Sequence, residues 1–231
     1  MKSVIRLAFL FLFIFSTLLN AQECPMYFPD EIGTVREMKS YDRRDRLTSI
    51  SRQEIIDKTV SGNDVRVTVR TTSYDDDENE ILTGDLEIIC KDGVFRFDLR
   101  DFLDPNTIAA YEDMGIEITA DNLLYPANMS PGDQLPDGEL QMVVKSGQAT
   151  LLTLVLTISN RTIEGIEDIT TDAGTFSTYK ISYDLTTKAG FITTSSSAIE
   201  WIADGVGFVR TETYNRRGRL TGYSVLTELR K

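Results

Sequence analysis

The chain has 231 residues, no histidine, two cysteines and a formal net charge of −12. The lack of histidine excludes Ser-His-Asp and Cys-His relays and ordinary zinc-hydrolase centres, since each needs an imidazole as base or ligand. The acidic excess excludes the concentrated basic surface of a nucleic-acid-binding protein, so no nucleic-acid partner is expected; it fits a soluble monomer that repels its own copies.

The first element is a secretory signal. Lys2 and Arg6 form a positive start, an uncharged apolar run follows from Leu7 to Leu19, and small Ala21 precedes polar Gln22 and Glu23. The run is shorter than the roughly 20 apolar residues of a spanning helix. Cleavage after Ala21 is therefore expected, giving a periplasmic or secreted chain with no remaining membrane span. Glu23 before Cys24 is wrong for a lipid-attachment site. Removal of residues 1–21 leaves one domain, 22–231, with 22 basic against 36 acidic residues.

Cys24 and Cys90 are the only cysteines, and in an exported chain they read as one disulfide. The alternatives are two buried free thiols or a redox or nucleophilic cysteine, for which no CxxC pair is present. Leu86, Ile88 and Cys90 alternate onto one face of a strand, so a bond to Cys24 pins the new N-terminus to a sheet.

Period-two alternation then recurs along the chain between Gly, Asn and Asp clusters. Val65, Val67 and Val69 oppose Arg66, Thr68 and Arg70; Phe95, Phe97 and Leu99 oppose Arg96, Asp98 and Arg100. Leu152, Leu154, Leu156 and Ile158 carry Leu151 and Val155 on the reverse side, the pattern of a central strand covered on both faces. Tyr179, Ile181, Tyr183 and Leu185 form a half-buried strand, and two more strands are expected over 206–214 and 220–229. A short helix is expected near 104–114, with Asp104 as cap, Pro105 at the first position and Gly115 as stop. The segment 123–138, with three prolines and two glycines, reads as a long surface connection. The fold class is all-β, mainly antiparallel, in a curved sheet closing toward a barrel or two-layer sandwich.

Candidate chemistry is sparse. Asp75 to Glu80 offers hard oxygens for a calcium ion but lacks the spaced D-x-D-x-D-G pattern, and a hairpin tip explains the same residues. Asn128 and Asn160 sit in glycosylation sequons. Trp201, next to Gly205 and Gly207, reads as a core residue, with a ligand-pocket wall as the alternative. No phosphate-binding glycine loop is present, and no catalytic residue, cofactor or metal is expected. The octapeptide Tyr41–Thr48 matches Tyr214–Thr221, both with three arginines at a hairpin tip. These tips read either as two basic prongs for an anionic ligand or as solvated turns whose arginines pair with nearby acids.

Phe28-Pro29 leading to Gly33, the pair Cys24 and Cys90, Asn122 to Pro126 with Leu135 to Gly138, Ala173 to Phe176 with Tyr179 to Ile181, and Glu200-Trp201 through Arg210 occur in an order that resembles the TapB-like family of exported Bacteroidota proteins, a DUF3108-like domain of unknown function. The resemblance implies a β-rich envelope domain and no established activity or site residue. Three functions follow as expectations: a non-enzymatic envelope protein that holds a lipid-like, apolar or amphipathic ligand in the concave sheet face; an accessory protein docked on an envelope partner through an edge strand or the arginine tips; and, less favoured, a hydrolase using two carboxylates.

Overall fold

The computed structural model describes residues 24–102 and 115–231. The expected signal peptide and the expected helix near 104–114 lie outside those residues. Thirteen strands, all antiparallel, form one sheet: β1 Val35–Asp42, β2 Leu47–Ser61, β3 Asp64–Tyr74, β4 Glu80–Lys91, β5 Val94–Asp98, β6 Gly115–Ala120, β7 Asn122–Pro126, β8 Gly138–Ser146, β9 Ala149–Thr171, β10 Gly174–Ala189, β11 Ile192–Ala203, β12 Gly207–Asn215 and β13 Leu220–Arg230. A 3-10 turn, Leu99–Phe102, follows β5.

The sheet order is β6-β8-β9-β10-β11-β12-β13-β1-β2-β3-β4-β5-β7, so consecutive β6 and β7 stand at opposite edges. The chain passes between them through Asp121 alone, which forces the edges together and curls the sheet into a nearly closed barrel. Asp121 clasps the corner: its carbonyl accepts from Leu99 N at 3.2 Å, its N–H donates to Glu139 O at 2.9 Å, and its carboxylate accepts from Glu139 N at 3.0 Å. Gly138 permits this approach, because a Cβ there would lie 2.9 Å from both Leu99 and Leu123.

The inward face of each strand supplies the core. Val67 and Val69 of β3, Ile88 and Cys90 of β4, and Phe95 of β5 are all buried, as are Leu140, Met142 and Val144 of β8 and Ile181 of β10. The outward faces of β2 to β4 carry Arg52, Arg66 and Arg70, which meet Glu37, Glu87 and Asp85. That is the dry-in, wet-out division their alternation dictates.

Met26, Tyr27 and Phe28 enter the interior from one end, where Gly205 N donates to Met26 O at 2.7 Å. Cys24 is bonded to Cys90, with 5.8 Å between Cα atoms, and anchors this segment.

Two local expectations change, and a third holds on the other face of the sheet. The segment 123–138 opens with buried strand β7, whose Leu123 and Tyr125 join the core; alternation over only five residues is a weak signal until β5 pairs with it. Leu151 is exposed, because it is the residue skipped at the bulge between β8 and β9 and lies off the inward parity of Leu152 to Ile158. Trp201 is buried, as the core reading expects, but on the face opposite the central hydrophobic cluster: its Nε1 donates to Glu167 at 2.5 Å and Lys180 lies 5.4 Å above its ring. Register explains it, since Glu200 and Ile202 take the inward parity.

Candidate functional site

The barrel interior is not uniformly apolar. Arg36 of β1, Arg161 of β9 and Glu200 of β11 are all buried, each at a strand position whose parity points inward. Burying a charge costs several kcal/mol unless it is paired and hydrogen-bonded, so each of these groups calls for an account.

Glu200 has a partner from across the barrel. Tyr125 of β7 donates its hydroxyl to Glu200 Oε1 at 2.8 Å, and Arg161 stacks 4.7 Å over the Tyr125 ring while its NH1 donates to the carbonyls of Leu124 and Pro136. Among the described residues Glu200 Oε2 accepts no hydrogen bond, and Arg161 Nε and NH2 donate none. Burial raises the Glu200 carboxyl above its ordinary value, opposed by the Arg161 guanidinium and the hydroxyls of Tyr125 and Tyr183. Burial likewise pushes the Tyr125 and Tyr183 hydroxyls well up, so both stay protonated donors at neutral pH.

The raised carboxyl has a signed consequence. The unfolded chain releases this proton near 4.5 while the folded chain still holds it. Stability is therefore complete below that value and falls as pH rises toward the folded value. Glu200→Gln lacks this proton, so its thermal midpoint is expected to gain on that of the wild type as pH rises through the ordinary carboxylate range. Parallel melting curves on both sides of that range would refute it.

Arg36 is different, because no carboxylate among the described residues meets it. Its NH1 donates to Gln53 Oε1 and its NH2 to Phe208 O, both at 2.7 Å, the guanidinium covers the Phe28 ring at 4.9 Å, and Nε has no partner. Desolvation alone pushes the guanidinium down to about 9. Gly207 opens the space for it: at φ +92°, a Cβ there would stand 3.3 Å from the guanidinium and 3.0 Å from Phe28.

Arg36 and Glu200 share the wall of a cavity of about 200 Å³, together with Gln53, Phe97, Phe208 and a polar stretch that includes Ser40, Ser51 and Ser224. Its walls come from the contiguous run β10-β11-β12-β13-β1-β2, closed over by Phe97 of β5, which the curl of the sheet brings across to them. Phe97 and Phe208, on β5 and β12, meet edge to face at 5.0 Å. Ser40 and Ser224 share a hydrogen bond of 2.8 Å. A wider, shallow depression of about 600 Å³ lies over Asn160, Asp184 and Tyr214, where Asn160 already donates to Asp184 at 2.8 Å.

Among the described residues Glu200 is the one acid in the cavity wall, and no second carboxylate there pairs with it. The Asp75 to Glu80 segment is the β3–β4 turn: Asp75 accepts from the N–H groups of Asp77 and Asn79 at 3.0 and 2.8 Å. Among the described residues no group of three or more acidic or cysteine side chains is placed to hold a metal. None of the expectations from sequence singled out Arg36, Tyr125, Arg161 or Glu200; a charged residue in an otherwise apolar parity was the available signal.

A family model described as DUF3108-like matches residues 31–226. A provisionally assigned lipoprotein from Parabacteroides distasonis is similar at 26% identity and a TM-score of 0.79, over 90% of this chain and 100% of that one. A provisionally assigned exported protein with a YmcC-like fold from Bacteroides fragilis is similar at 25% identity and a TM-score of 0.76, over the same shares. Comparison with curated proteins finds no match.

Proposed function

We propose that this chain, which belongs to the DUF3108-like family, is an exported, non-enzymatic envelope protein of the TapB-like kind that holds a small amphipathic ligand by an anionic head in the barrel cavity. The observation that carries the reading is Arg36, a buried cation that among the described residues meets no carboxylate and leaves its Nε undonated, in the wall of that cavity. A carboxylate or phosphate head would supply the missing charge, and charge-assisted hydrogen bonds to guanidinium are about twice as strong as neutral ones. Phe97 and Phe208 offer the apolar contact that an attached chain needs.

Size limits the ligand. The cavity lies below the roughly 300 Å³ at which drug-sized pockets begin. A small organic acid, or the head and first carbons of a longer lipid, fits that space. Export is supported by the relatives described as a lipoprotein and an exported protein and by the Cys24–Cys90 bond.

Native mass spectrometry of protein recovered from its own envelope tests this. The expected spectrum is a monomer with one small anionic adduct, lost on denaturation and absent from Arg36→Met. A clean apo mass for the wild type, or an adduct retained by Arg36→Met, would overturn the reading. A melting curve on Arg36→Met separates loss of ligand from loss of fold.

A further inference from the structure

The two arginine-rich turns are one surface. In the β1–β2 turn, Asp42 Oδ1 accepts from the N–H groups of Arg44 and Arg46; in the β12–β13 turn, Asn215 Oδ1 accepts from those of Arg217 and Arg219. Asp45 and Gly218 hold the left-handed position at φ 59° and 67°. Because β1 pairs with β13, Tyr41 lies opposite Tyr223 and the turns stand side by side. The two rings stack at 5.1 Å, and Tyr223 donates to Asp45 at 2.9 Å.

Of the six arginines in these turns, only Arg46 meets an acid, Asp42 at 2.6 Å. Arg43, Arg44, Arg216, Arg217 and Arg219 are exposed, and among the described residues their side chains have no carboxylate partner. Pairing is the habit elsewhere on this acidic chain: Arg52, Arg66, Arg70 and Arg210 each meet a carboxylate. Six arginines against Asp42 and Asp45 leave a cationic cluster at one end of the barrel.

The adjoining hairpin adds apolar groups at the same end. Ser196 of β11 pairs with Asn215, and β11 begins four residues earlier at Ile192, so the β10–β11 turn runs roughly 13 Å past the base of the arginine turn, at about 3.3 Å per residue. At its tip Phe191 is fully exposed and Ile192 is 70% exposed. Turn positions ordinarily carry Gly, Asn or Asp, and Phe191 follows the one glycine the turn uses. On neighbouring β9, Leu151 is 57% exposed near the same end, three residues before Leu154, which pairs with Ala189 of this hairpin.

We propose that this end of the barrel docks on an anionic phospholipid surface, with Phe191 and Ile192 entering the acyl boundary and the five unpaired arginines lying one level back among the phosphates. Apolar tips flanked by guanidinium groups are what an interface of that depth accepts. The step between the two levels favours a fluid bilayer over a protein with fixed carboxylates, which would need a pocket matched to the protruding Phe191. This surface is separate from the ligand contacts of Arg36, so either reading stands if the other fails.

Vesicle sedimentation tests it, using protein recovered from its own envelope. Wild type is expected to bind vesicles of phosphatidylcholine with one third phosphatidylglycerol about tenfold more than phosphatidylcholine alone, and to release in high salt. R216E/R217E is expected to lose binding by fivefold or more per residue, about the contribution of one arginine at such a surface. F191D/I192D is expected to lose it as well, and acyl-brominated lipid to quench the added fluorescence of F191W. All these sites are exposed, so melting curves should match wild type. No preference for the anionic vesicles overturns the proposal. So does loss with R216E/R217E while F191D/I192D still binds, a pattern that assigns the arginines to an acidic macromolecule.

Discussion

Replacing Cys90 by serine is expected to lower the unfolding free energy by about 4 kcal/mol, the chain entropy that a loop of this size returns to the unfolded state. The bond spans a separation of 66 residues, and its far end holds the segment that delivers Met26, Tyr27 and Phe28 to the core. Tyr27 meets the rings of Phe95, Tyr125 and Tyr179, and its hydroxyl donates to Pro126 O at 3.2 Å, so release of Cys24 loosens contacts on three strands. Urea unfolding of Cys24→Ser, Cys90→Ser and the double variant should give equal losses. A loss under about 1 kcal/mol would mean that packing alone fixes the segment.

Tyr125→Ala is expected to cost about 4 kcal/mol, in the range of large aromatic truncations in packed cores. Three effects coincide there. The ring packs against Tyr27, Phe95 and Phe208, it carries the Arg161 guanidinium, and its hydroxyl is the well-formed donor to Glu200. Tyr125→Phe separates them, since it keeps the ring and removes the donor; about 2 kcal/mol is expected, the scale of a hydrogen bond to a charged or buried acceptor. Equal losses from the two variants would assign the whole effect to the hydrogen bond. Chemical denaturation of both is the measurement.

These two positions lie at opposite ends of legibility. Cys24 and Cys90 could be paired on paper because no third cysteine competes. Tyr125 could not be placed, since β7 is five residues long, follows β6 after a single residue, and finds its partner in β5. Its contact with Glu200 joins residues 75 apart in the chain, on strands that are not neighbours in the sheet. Strand alternation is a local signal, and contact across a curled sheet is not.

The same division holds for the surface. The likeness of Tyr41–Thr48 to Tyr214–Thr221 was plain in the sequence, and it left two accounts of the arginines. Turn geometry does not bear on the choice; among the described residues Arg43, Arg44, Arg216, Arg217 and Arg219 have no carboxylate partner, which weighs against pairing for those five and depends on which strands flank the turns.

By itself, then, the sequence determined the class of the protein. Period-two alternation of Val, Ile, Phe and Tyr with charged residues settles that strands form and which face of most of them is dry, because a side chain's direction in a strand depends only on parity. Tertiary structure decided what the dry face encloses. Arg36, Arg161 and Glu200 hold inward parities that hydrophobicity alone reads as errors in the pattern. Closure at Asp121 turns them into the polar lining and support of a cavity, and the pairing of β1 with β13 brings two distant turns together into one cationic end.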